Sequence, residues 1–92
     1  MNTITQGVFK AMKKTIVVVG SEADLEVLKS QRKEELMERF SDICDAVVHT
    51  SMNRHSIKEF VMSATVSEFE RVHTKNLFQR LFPEITVTEL KT

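Results

Sequence analysis

The apolar positions change their period along the chain, and each change marks an element. Residues 15–19, TIVVV, are a β-branched run with apolar side chains on both faces, as in a central strand. Gly20 and Ser21 end it, and Ser21 with Asp24 has the spacing of a capping box, with Asp in place of the usual Glu. Leu25, Leu28, Leu36, Phe40 and Ile43 then recur at helical spacing, which predicts one long helix to about Ile43. The stretch KSQRKEE, residues 29–35, has no apolar residue and interrupts that stripe. On this reading the helix overhangs the sheet there. The other course is a break near Ser30.

A second β-rich run, AVVHTSM at 46–52, reads as a strand, with Asn53-Arg54 as the turn that closes it. The segment 57–66 fits either period. Ser67 and Glu70 form another capping box immediately after it, and residues just before a helix start suit a strand better than mid-helix. A helix follows over 68–82 with apolar Phe69, Val72, Leu77, Phe78, Leu81 and Phe82. Pro83 stops it, and ITVTEL at 85–90 is a last strand.

The predicted order is β-α-β-β-α-β, an α+β, ferredoxin-like split sandwich with an antiparallel sheet and two helices on one face. The alternative is β-α-β-α-β. Two helices on one face leave the other open, and an open apolar sheet face in a small protein implies a partner. The expected partner or dimer surface is Val17, Val19, Val47, His49, Phe60, Val61 and Met62 on that face, with a strand edge as a second route to self-association.

Composition narrows the picture. Ninety-two residues make one domain, 1–92, with residues 1–11 as a possible extension ahead of the first strand. Hydrophobic residues at 41% and charged residues at 28% give a globular balance with a small core, for which oligomerisation adds burial. Lys plus Arg equals Asp plus Glu at 13 each, so no net charge draws the chain to nucleic acid or anionic membrane. One cysteine forms no intrachain disulfide, and the start lacks the apolar core of a signal peptide, so the expected compartment is the cytoplasm. No apolar run is long enough to span a bilayer.

Candidate chemistry is sparse. Cys44, His49, His55 and His73 are separated by four, five and seventeen residues, unlike the short paired spacings of zinc sites, so no metal, cofactor or catalytic residue is expected. Glu34, Glu35 and Glu38 lie among Arg32, Lys33 and Arg39, the mix of a solvated face. The stretch VVVGSEADLEVLK resembles the strand–Gly-Ser–helix opening of the aminoimidazole ribonucleotide carboxylase/mutase family, which implies a phosphate at the helix N-terminus. It covers 13 residues of 92. That family uses a much larger doubly wound domain, and two acids in the first turn repel phosphate, so no activity is carried over. RNA-recognition modules share the predicted order but stack bases on sheet aromatics, and Tyr and Trp are absent here.

Two functions remain as expectations. The first is a non-enzymatic homodimeric interaction or regulatory module that binds a protein partner. The second is a nucleic-acid-binding regulator or small nuclease-like dimer that uses Lys10, Lys13, Lys14, Arg54 and Lys58 on the backbone.

Overall fold

The computed structural model describes residues 14–90. Four strands and three helices alternate: β1 (Thr15–Val19), α1 (Glu22–Gln31), β2 (Leu36–Phe40), α2 (Ile43–Met52), β3 (Ile57–Met62), α3 (Glu68–Leu81) and β4 (Thr86–Glu89). A single 3-10 turn, Arg54–Ser56, leads into β3. The sheet order is β2-β1-β3-β4, and every pairing is parallel.

The antiparallel ferredoxin-like arrangement is therefore wrong, as is its β-α-β-α-β alternative, which is one strand and one helix short. The error lies between residues 29 and 52. The expected long helix ends at Gln31, and the chain turns through Glu34, the one described non-glycine residue with positive φ, at 70°. Leu36–Phe40 then forms the edge strand β2. Residues 46–52, read as a strand, belong to α2, where Ile43, Ala46, Val47 and Thr50 share one buried or partly buried side at helical spacing. With a helix in place of the second strand, the hairpin at Asn53-Arg54 disappears. Each strand reaches the next through a helical crossover, and only parallel pairing results.

The two faces are covered unequally. On one, Val17, Val19, Phe60 and Met62 pack with Ala46 of α2 and Phe78 of α3. Phe60 and Phe78 lie 4.7 Å apart, centroid to centroid. On the other, Ile16, Val18 and Val61 pack under Leu25 and Leu28 of α1. There is thus no open sheet face. Val19 is 1% exposed, and Val17, Phe60, Val61 and Met62 are at 0%. The double-sided apolar pattern of TIVVV reflects helices on both faces, which is why parallel strands read as continuous apolar runs.

Both predicted capping boxes have their backbone half in place. The Ser21 hydroxyl accepts from the Asp24 N–H at 3.2 Å, and the Asp24 carboxylate accepts from the Ser21 N–H at 3.0 Å. The Ser67 hydroxyl accepts from the Glu70 N–H at 3.2 Å and donates to the Glu70 carboxylate. At Gly20, a Cβ would meet Ser63 Cβ at 2.8 Å and Asp24 Oδ2 at 2.7 Å, so the end of β1 closes against β3 only without a side chain.

Candidate functional site

Two regions of the described surface combine a hollow with converging elements, one at the carboxyl ends of the strands and one between two helices. The first follows from the topology. The chain leaves β1 toward β2 on one face and leaves β3 toward β4 on the other. The carboxyl ends of β1 and β3 therefore form a switch point, where ligands commonly bind in doubly wound sheets. A crevice of about 230 Å³ lies there, between Val19-Gly20, Ser41-Asp42 and Thr65-Val66.

Helix N-termini converge on this edge, and they are already occupied. Asp24 fills the first turn of α1, the Asp42 carboxylate caps α2 by accepting from the Cys44 N–H at 2.9 Å, and Glu70 lies in the first turn of α3. The Ser21 backbone N–H, with the hydroxyls of Ser21 and Ser63, holds the Asp24 carboxyl below its usual range despite some desolvation. The positive helix ends that would attract phosphate thus face the chain's own carboxylates. The Gly-Ser–helix opening has the geometry of a phosphate cradle but not its charge.

The second region is the outer surface of the α2–α3 layer. A groove of about 340 Å³ runs between the helices, lined by Ile43, Cys44, Val47, Val48, Thr74 and Leu77, with Glu70 and His73 on its α3 side. The same two helices expose further apolar side chains, and Phe69 and Val72 line a separate hollow with Glu68, His73 and Asn76. Val48 is 56% exposed and Met52 79% on α2; Phe69 is 79% and Val72 51% on α3. Cys44, Val48 and Met52 follow one another at four-residue spacing, and Phe69, Val72, His73 and Asn76 at i, i+3, i+4 and i+7. Each helix therefore carries an outward apolar row besides its core-facing one. The rings of Phe69 and His73 stack at 3° with centroids 6.1 Å apart.

The residues singled out in the sequence are dispersed. Cys44 is exposed at the start of α2, beside the groove. His49 is on α2, not mid-strand. Its Nε2 lies 3.3 Å from Glu38 Oε2 of β2, and its ring centroid lies 5.0 Å from that of Phe40. Val47, also on α2, is partly buried against the core. His55 sits in the 3-10 turn, and no group of three metal-ligating side chains gathers among the described residues. The acids read as one helical face are split, Glu34 and Glu35 in the turn and Glu38 on β2.

Of the basic residues, Arg54 donates to Glu84 at 2.8 Å and lies over the Phe82 ring, and Lys58 pairs with Glu35. Lys14 is exposed; Lys10 and Lys13, like the suggested extension 1–11, lie outside the described residues.

The apolar residues of 68–82 were named from the sequence without being divided between faces, so the outward rows were not singled out. Six large apolar side chains in that helix exceed what a single stripe holds, and this surplus was the available signal. No helix among the described residues is long and apolar enough to cross a membrane. No protein-family model, curated protein or solved structure matches the chain.

Proposed function

We propose that the protein is a small non-enzymatic interaction or regulatory module that acts as a homodimer. One observation carries the reading: the α2–α3 layer presents a groove with an almost wholly apolar lining that includes Val48, and Met52, Phe69 and Val72 of the same two helices are also more than half exposed. Contiguous apolar surface of this kind on a small domain marks a protein-binding face. The interface assigned from sequence to the sheet moves to the helical layer.

The acid-filled switch point supports the same reading, because nucleotides and phosphorylated metabolites meet carboxylates there. Among the described residues, Arg54 and Lys58 are each held in an ion pair, which weighs against their use on a nucleic-acid backbone. Sedimentation velocity across the micromolar range tests the proposal. A dimer is expected, and a chain that stays monomeric throughout overturns it.

A further inference from the structure

We propose that a second copy of this chain pairs along the open edge of β4, antiparallel and about a two-fold axis at Val87, so that two four-stranded sheets become one continuous sheet. The inference rests on the homodimer reading and adds where the copies meet. It leaves the α2–α3 groove to a different protein partner.

Among the described residues β4 has a neighbour only on its β3 side. The Leu90 N–H donates to the Met62 carbonyl at 2.8 Å, so the even-numbered residues of β4 turn their backbone groups toward β3. Val87 therefore turns its N–H and C=O to the open side. Such a row of backbone groups is a template for another strand.

The two edges of the sheet differ. β2 carries Glu38 and Arg39 in its middle, the kind of charged side chain that guards a free edge. β4 reads Thr86-Val87-Thr88 before Glu89, whose charge Arg71 and Lys75 of α3 meet at 3.0 and 2.9 Å. Thr and Val are strand formers, and no proline or lysine interrupts them.

The sequence of the edge selects the copy. Thr-Val-Thr reads the same in both directions, the symmetry that antiparallel pairing of a strand with itself requires. Centred on Val87, the two valines exchange both N–H···O=C bonds, and Thr86 of each copy lies opposite Thr88 of the other. Centred on Thr86, Val87 would meet Ile85, whose N–H is already given to the Phe82 carbonyl at 3.0 Å. Centred on Thr88, it would meet the Glu89 carboxylate. The Val87 side chain lies on the α3 face, where a hollow of about 210 Å³ between α3 and β4 also includes Phe78, Pro83 and Ile85. The two-fold sets the two hollows side by side and covers apolar surface of both at once.

The experiment is sedimentation equilibrium on the full chain and on Val87→Pro, with circular dichroism to check the fold. Proline removes the N–H that faces the open side and leaves the β3–β4 bonds in place, so a folded monomer is expected. A second arm reads the register. In a Cys44→Ser background, Val87→Cys oxidised with copper phenanthroline is expected to form a crosslinked dimer, because paired Cα atoms at this position are about 5.5 Å apart. Thr86→Cys in the same background is expected not to crosslink, since the two residues stand on opposite sides of the axis, out of disulfide reach.

A wild-type monomer would overturn both the homodimer reading and this geometry. A dimer that survives Val87→Pro and does not crosslink through Val87→Cys would overturn only the β4 edge, leaving the homodimer reading in place. Crosslinking through Thr86→Cys instead of Val87→Cys would overturn the axis at Val87. If Val87→Pro loses its native circular dichroism, the cysteine variants decide.

Discussion

Arg32, just past the end of α1, pairs with Glu59 on β3, and the Thr88 hydroxyl of β4 donates to the same carboxylate. The cluster lies on the face of the sheet covered by α1 alone, and Glu59 is only 9% exposed. Removing the cation strands a largely buried carboxylate. Arg32→Met is expected to destabilise the fold by about 1–3 kcal/mol, below the full cost of breaking a buried pair because Arg32 is partly solvated. Arg32→Met combined with Glu59→Met should regain most of that loss, since no charge is left unpaired. Urea denaturation of the two variants measures the difference, and a double variant worse than the single would contradict it.

The turn between α1 and β2 places Glu34 in the left-handed region. Glutamate is strained there and glycine is not, although glycine loses more chain entropy on folding. Glu34→Gly is expected to raise stability by up to about 1 kcal/mol, seen as a higher thermal midpoint with native circular dichroism.

At Gly20 the expectation reverses. Alanine would press on the Cβ of Ser63 and on the Asp24 carboxylate, and backbone of two adjacent strands must give. Gly20→Ala should cost about 1–3 kcal/mol. Ser63→Gly in the same chain relieves the closest carbon contact and should recover part of it.

Asp24 ties stability to pH. Its carboxyl is held low in the folded chain, first by the Ser21 N–H. Such a group stabilises the fold above its unfolded pKa, and the contribution is lost as pH falls through the depressed folded value. Glu84 acts in the same direction, held low by its own backbone N–H and by Arg54. Stability should therefore drop from about pH 4 downward. Asp24→Asn should flatten that decline and, at neutral pH, cost about 0.5–1 kcal/mol of capping. Chemical denaturation at a series of acid pH values reads both.

Cys44 tests the proposed docking face because it is exposed and lines the groove. Its reaction with a coloured disulfide reagent should be complete in dilute protein. The rate should be the same at concentrations where the chain dimerises, because pairing through β4 leaves the groove open. A rate that falls as the chain dimerises would place the thiol inside the dimer interface.

The strands and helix with clear punctuation could be read from the sequence: β1 from TIVVV with Gly20 after it, α3 from the Ser67–Glu70 box and Pro83, and β4 after that. The region 29–52 could not, for two physical reasons. The turn at Glu34 uses a left-handed backbone without the Gly or Asn that normally announces one. The edge strand LMERF also kept Leu36 and Phe40 in phase with the preceding helical stripe, so a continuous helix fitted the pattern. In α2 a β-branched run outweighed the helical spacing of Ile43, Ala46, Val47 and Thr50, although Asp42 was a readable cap. The outward apolar rows stayed hidden for a related reason: whether Phe69 or Phe78 faces the core depends on which side of α3 meets the sheet.

The central position of β1 has a consequence for the birth of the molecule. A ribosome delivers TIVVV well before its second neighbour, β3, which is complete only at Met62. Until then one edge of the most apolar strand has no native partner, and no local hairpin can shield it. Parallel pairings of this kind form slowly and leave sticky segments open to other nascent chains. Lys13 and Lys14 on one side of the run, and Glu22 and Asp24 on the other, put charge where gatekeeper residues stand beside unavoidable apolar strands.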